Sequence, residues 1–215
     1  MKDGFGAFEK AWAVELLVAR YLQSLGFSVI HRGKGNIGEH HGPTMLIAHQ
    51  ASFKELPVPD LEAFWGDRNK SIPTFGLPNH FLCDIKQKLT GCFYDRRARV
   101  FRSGIDRKAW DKYKKIEAAT GVQTGIIHVI HEMSDSAIQN LPEEWQTCGK
   151  MFAGIYWHPI LLPIDGESEK MVAWDLPGGY CSWGMKKIGM IDNLFGRRHK
   201  YQNFVITSSP PQRVP

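Results

Sequence analysis

Twice in this chain a helical pattern runs into a glycine and gives way at once to a strand-like run. Residues 5–25 carry Phe8, Trp12, Leu16, Ala19 and Leu22 as most of a helical stripe, stop at Gly26, and lead into "FSVIH" (27–31). Residues 107–120, "RKAWDKYKKIEAAT", follow Asp106 as an N-cap, stop at Gly121, and lead into the β-branched "VQTGIIHVI" (122–130). Glycine enters the left-handed conformation that closes a helix, and aspartate accepts from first-turn amides. The order helix, strands, helix, strand predicts one α/β domain, a central mixed sheet flanked by helices.

With 215 residues the chain has room for one such domain and its core. We read residues 1–215 as one unit, with the core at about 5–130 and further strands plus an irregular extension over 131–215. "MLIAHQ" (45–50), "LPVPDLEAFW" (56–65), "MFAGIYWHPILL" (151–162) and "MVAWDL" (171–176) read as added extended segments, and "SSPPQRVP" as a frayed tail.

The stretch "FLCDIKQKL" (81–89) poses the chemical question. As a strand it sets Phe81, Cys83, Ile85 and Leu89 on one face and Leu82, Asp84, Lys86 and Lys88 on the other. One reading is a solvated face on which Asp84 and Lys86 neutralise each other. The other is a metal-dependent site, since a carboxylate and an ammonium about 6.6 Å apart along a strand reach a common point. Two further acids stand in unexpected company. Asp60 heads an apolar segment after Pro59, where it is either a turn cap or a second ligand facing Asp84 across a returning chain. Glu15 is the one charge in "AWAVELLVA" (11–19), on the apolar stripe of the first helix, where a carboxylate either skirts the core or needs a partner.

An acid in the first helix, then Pro59-Asp60, then Asp84-Ile85-Lys86 resembles the PD-(D/E)XK nuclease superfamily, and the helix and strand over 101–130 resemble its phage-type or resolvase-type members. The resemblance covers roughly residues 5–130; many members carry glutamate where this chain has Asp84. It implies a restriction-endonuclease-like core and a DNA endonuclease that depends on Mg²⁺ or Mn²⁺. Glu15, Asp60, Asp84 and Lys86 would be catalytic. Asp60, Asp84, the Ile85 carbonyl and Glu15 would hold the cation, and Lys86 would position water and phosphate. The reading requires one helical and two strand carboxylates to meet around one cation. Its rivals are a catalytically inactive DNA-binding or assembly module of the same fold, and an exonuclease.

The net charge of +5 suits a polyanion partner, here DNA. Lys88, Arg96, Arg97, Arg99, Arg102, Lys108 and Lys112 are the expected DNA contacts, with "GRRHK" (196–200) as a second patch. A homodimer would place paired cuts on two strands. Four cysteines form no C-x-x-C pair, which argues against structural zinc and for reduced thiols. Glu39, His40 and His41 in "GEHHG" read as surface residues. The N-terminal apolar run is interrupted by Glu15, so neither a membrane span nor a leader is expected. The location expected is cytoplasmic, or the host cytoplasm for a viral chain.

Overall fold

A computed structural model describes residues 4–32, 58–66, 76–147, 151–162, 166–168, 170–176 and 185–195 of the chain. The expected strand at 45–50, the Glu39–His41 loop, the "GRRHK" patch and the tail lie outside the described residues.

The elements run in the order α1 (Gly4–Ser24), β1 (Phe27–His31), β2 (Leu61–Trp65), β3 (His80–Lys88), β4 (Phe93–Asp95) and β5 (Val100–Asp106), followed by α2 (Arg107–Thr120) and β6 (Thr124–Ile130). Two short helices, α3 (Asp135–Gln139) and α4 (Glu143–Gln146), precede β7 (Gly154–Pro159), β8 (Gly166–Glu167), β9 (Met171–Asp175), β10 (Lys186–Gly189) and α5 (Asp192–Phe195). Both glycine stops hold. Gly121 adopts φ 68° and its N–H reaches back to Glu117 O, while Gly26 sits at φ 104°. Asp106 has the extended backbone of an N-cap, but its side chain makes no capping hydrogen bond.

Six strands form the main sheet in the order β1-β2-β3-β6-β7-β10. Among the described strands of this sheet, β3 and β6 pair in parallel, joined through β4, β5 and α2, and the other pairings are antiparallel. This is the mixed α/β sheet expected. A second sheet, β4-β5-β9-β8, was not expected from the sequence. Its β5 pairs with β9, from Arg102↔Asp175 to Asp106↔Met171.

Alternation along β3 divides the core. Phe81 and Cys83 point to the face covered by α1, where Val14, Val18, Leu22, Leu61, Ile127 and Trp157 pack. Leu82 points to the other face, with Ile126, Tyr156, Phe101 and Ile105 of the second sheet and with Tyr113 and Ile116 of α2. On α2 the expected lysine side, Lys108, Lys112 and Lys115, is exposed while Tyr113 and Ile116 are buried. Leu89 lies past the end of β3 in a turn and is exposed, so the apolar face of that strand ends at Ile85. No helix among the described residues is long and apolar enough to cross a membrane.

Candidate active site

The site begins with a strand that starts late. Pairing between β2 and β3 starts at Leu61↔Cys83, so past Cys83 the β2-facing edge of β3 has no backbone partner among the described residues. Asp60, one residue before β2, fills that place with its side chain: Ile85 N–H donates to Asp60 Oδ2 at 2.7 Å. The Asp60 main chain is fixed from β1, where Arg32 N–H donates to Asp60 O at 2.8 Å. Antiparallel pairing of β2 with β3 thus supplies the returning chain that sets Asp60 against the Asp84 segment.

Asp84 and Lys86 point to the α2 face. Asp84 is buried, 6% exposed, and Lys86 Nζ forms an ion pair with its Oδ2. That pair lacks the alignment of a hydrogen bond, and Oδ2 is buried without a hydrogen-bond donor. The buried Tyr113 of α2 lies near the same carboxylate, and its pKa is raised by burial first and then by its interaction with Asp84. Tyr113 read in the sequence only as part of the apolar side of a helix.

Glu15 arrives from elsewhere. It lies on α1, which covers the opposite face of the sheet, so the four residues do not share one floor. Glu15 is linked to the others through its charge alone, which acts on Asp60 at the start of β2. Burial raises the Glu15 pKa, Asp84 raises it further, and Lys86 opposes both. Asp60 is pushed up to about 8, first by burial, then by Asp84 and Glu15, against the Ile85 N–H bond and Lys86. The fully buried Cys83 thiol feels all three acids: burial, then Asp60, Asp84 and Glu15, hold it well above the usual thiol range. Cys83 itself is the small core residue expected.

Oxygen donors of this kind suit a hard divalent cation, and the donorless Asp84 oxygen is a place for positive charge. Among the described residues, no three His, Cys, Asp or Glu side chains stand close enough to hold a metal ion as they are. The Lys86 ammonium occupies the position beside Asp84 Oδ2, so cation binding there requires that side chain to shift.

The expected DNA contacts divide. Lys88 is drawn inward: its Nζ donates to Gly104 O at 2.6 Å and ties β3 to β5. Arg102 is paired with Asp95, and its side chain is 12% exposed. Arg96, Arg97 and Arg99 stand exposed at the β4–β5 turn, which Asp95 builds by accepting from the N–H groups of Arg97 and Ala98. There Arg96 donates to Asn140 O and Arg99 pairs with Glu144. Lys108 and Lys112 are exposed on α2.

Between the sheets, across from Lys86 in register, lies His128. Its Nδ1 is 3.0 Å from Ser103 Oγ, and the His158 ring lies 6.0 Å away. Both imidazoles are fully buried, and burial holds His128 well below the ordinary histidine range and His158 down to about 3. A further buried acid, Glu62, carries no local signal in "PDLEAF", where its neighbours read as an apolar strand. It receives Arg32 Nε at 2.8 Å and lies 2.8 Å from His80 Nε2.

No family model matches the chain, and no curated protein matches it. Among solved structures, a Holliday junction resolvase, Hjc from Archaeoglobus fulgidus, is similar at 13% identity, covering 75% of this chain and 84% of that one with a TM-score of 0.36. At that level the likeness lends no weight to either fold or function.

Proposed function

We propose that the chain is a cation-dependent phosphodiesterase that cuts DNA internally. The observation that carries this reading is the seat of Asp60 on the Ile85 amide beside Asp84, where the charges of Asp84 and Glu15 both act on it, with Lys86 against Asp84. Clustering acids in a partly buried place is unfavourable unless something positive is to be bound. A structural role alone leaves that arrangement without a purpose.

In this reading Asp60, Asp84 and the Ile85 carbonyl would hold Mg²⁺ or Mn²⁺, with Glu15 completing the shell. A bound cation of this kind supplies a water of lowered pKa and offsets charge developing on phosphorus. The chain's own groups do the rest. Asp60 gives up the proton that its surroundings favour at neutral pH. Tyr113 flanks the Asp84 carboxylate, and Lys86, released from Asp84, turns its ammonium to the attacking water and the scissile phosphate. The exposed arginines of the β4–β5 turn, with Lys108 and Lys112, supply attraction to the DNA backbone.

A second reading is a module of the same fold that binds DNA without cutting it. The Lys86–Asp84 pair and the spacing of the acids favour it, since they leave no ready three-carboxylate site.

The test is incubation of the purified chain with linear, circular and branched DNA in Mg²⁺, in Mn²⁺ or in EDTA. Cutting of circles that requires the ion and disappears in Lys86→Ala, with binding retained, supports the nuclease. Ion-independent or Lys86-independent cutting ends it, and binding without cutting in every ion selects the second reading.

A further inference from the structure

Lys86 is held where the cation of the nuclease reading would bind. Its ammonium pairs with Asp84 Oδ2, the buried oxygen that has no hydrogen-bond donor. Its charge also acts on Asp60 and on Glu15. The acid it holds and the two acids it acts on are the proposed cation ligands. Ammonium and cation therefore compete for one set of oxygens.

An ammonium that leaves a carboxylate needs another anion, because separating a partly buried pair leaves both charges uncompensated. The strand face beside Lys86 supplies none among the described residues. Lys88, two residues on, is itself a cation and is tied to Gly104 O at 2.6 Å. His128, in register with Lys86 on β6, is a fully buried imidazole that burial keeps uncharged, and Ile126 and Ile130 stand beside Asp84 and Lys88. Tyr113 is a buried phenol. Asp106, a further acid felt on this face, acts on Lys88.

The anion that the proposed substrate brings is a backbone phosphate. We infer that Lys86 gates the centre: its ammonium keeps a divalent cation off Asp84 until a nucleic-acid phosphate draws it away, so cation and nucleic acid bind cooperatively. The inference rests on the nuclease reading and adds an order to it, phosphate before cation. Such coupling is reciprocal: the factor by which DNA tightens the cation is the factor by which the cation tightens DNA. The free chain then carries its acids neutralised by its own lysine, and the complete centre forms only on the strand to be cut.

The experiment measures Ca²⁺ affinity by calorimetry without DNA, and the affinity for a fluorescein-labelled duplex in EDTA and in Ca²⁺, read before measurable cutting. It compares the parent, Lys86→Met and Lys86→Arg, with thermal melts to show that each is folded. The Lys86 side chain is 36% exposed, so methionine fits there, and Lys86→Gln repeats the test if that variant melts early. Without DNA, Lys86→Met is expected to bind Ca²⁺ about tenfold tighter than the parent. Ca²⁺ should tighten DNA binding about tenfold in the parent and by at most about a third of that factor in Lys86→Met. Lys86→Arg, which keeps a cation able to pair with Asp84, stays within about threefold of the parent in both. Equal Ca²⁺ affinity in parent and Lys86→Met overturns the gate. So does a gain in Ca²⁺ affinity that leaves the coupling to DNA undiminished, which makes Lys86 only a nearby charge. Either result beside Mg²⁺-dependent cutting by the parent sinks this inference alone. A parent that binds neither Ca²⁺ nor DNA sinks the nuclease reading and the gate with it.

Discussion

Asp60 Oδ2 accepts the Ile85 amide hydrogen at 2.7 Å, so a side chain does at this point what the backbone of a neighbouring strand does elsewhere along β3. The same carboxyl is surrounded by Asp84 and Glu15 and stays protonated up to about pH 8. A folded pKa above the unfolded value of 3.8 makes the native state hold a proton that the unfolded chain has lost. The associated stability is fully present below about pH 4 and is lost as pH rises through about 8. Asp60→Asn keeps an acceptor for Ile85 and removes the ionisation. In EDTA it should stabilise the fold by on the order of 2–4 kcal/mol at pH 9 and by far less at pH 4.5. Denaturant midpoints of both proteins at the two pH values check this.

Cation binding must displace that proton. At pH 7 titration with Mg²⁺ or Mn²⁺ should release close to one proton per site, and Asp60→Asn should release almost none. Calorimetry in two buffers of different ionisation enthalpy reads the proton count directly. Equal enthalpies in the two buffers for the parent protein would contradict the raised pKa of Asp60.

Lys88 stands two residues from Lys86 on the same strand face, yet its ammonium is spent on Gly104 O between the two sheets. Burial and the neighbouring Lys86 lower its pKa while Asp106 opposes them. Lys88→Met should lower stability by about 1.5–3 kcal/mol, the range for a hydrogen bond to a charged group, because Gly104 O loses its donor. Its effect on the rate of cutting at saturating DNA should be under about fivefold, against a loss of several hundredfold for Lys86→Ala. Urea melts and single-turnover rates separate the two lysines.

The buried imidazoles predict an acid limb. His158 titrates near 3 in the fold and near 6.5 in the unfolded chain, because burial disfavours its charged form. A depressed folded pKa gives stability that is present above 6.5 and lost as pH falls toward 3. Between pH 7 and 4.5 the parent should lose on the order of 2 kcal/mol through this residue. His158→Gln should flatten the limb even if it starts from a lower midpoint, which melts at closely spaced pH values will show.

Tyr113→Phe removes the hydroxyl near Asp84 and leaves the ring in its packing. Cutting should fall about tenfold with the melting temperature shifted little, since a polar group beside the carboxylate is lost while the buried area stays. Rates in Mg²⁺ and a thermal melt decide it.

How far the sequence led is clearest residue by residue. Gly26, Gly121 and the alternation around Asp84 carry local information, because a left-handed backbone and a two-residue period are written within a few neighbours. They placed α1, α2, β3 and β6 nearly to the residue. Asp60 comes to stand beside the Asp84 segment because the chain returns antiparallel between them. The second sheet escaped because β4 has three residues, the arginines mask β5, and its partner β9 lies far along the chain. Glu62 escaped for the same reason: its partners, Arg32 and His80, are distant in sequence, and nothing within "LEAFW" announces them. Glu15 stands out in the sequence as the one charge in its helical stretch, but no local pattern says from which side of the sheet a helix will come.

The short β2 has a consequence for how such a centre is lost or made. Adding two paired residues ahead of Leu61 would hand the Ile85 amide to main chain and swing the carboxylate of position 60 out of register. Every acid and the lysine would still be present in such a chain, and the centre would be gone. Strand length, a property no single side chain encodes, is therefore the quantity to inspect first in any relative whose motif looks intact.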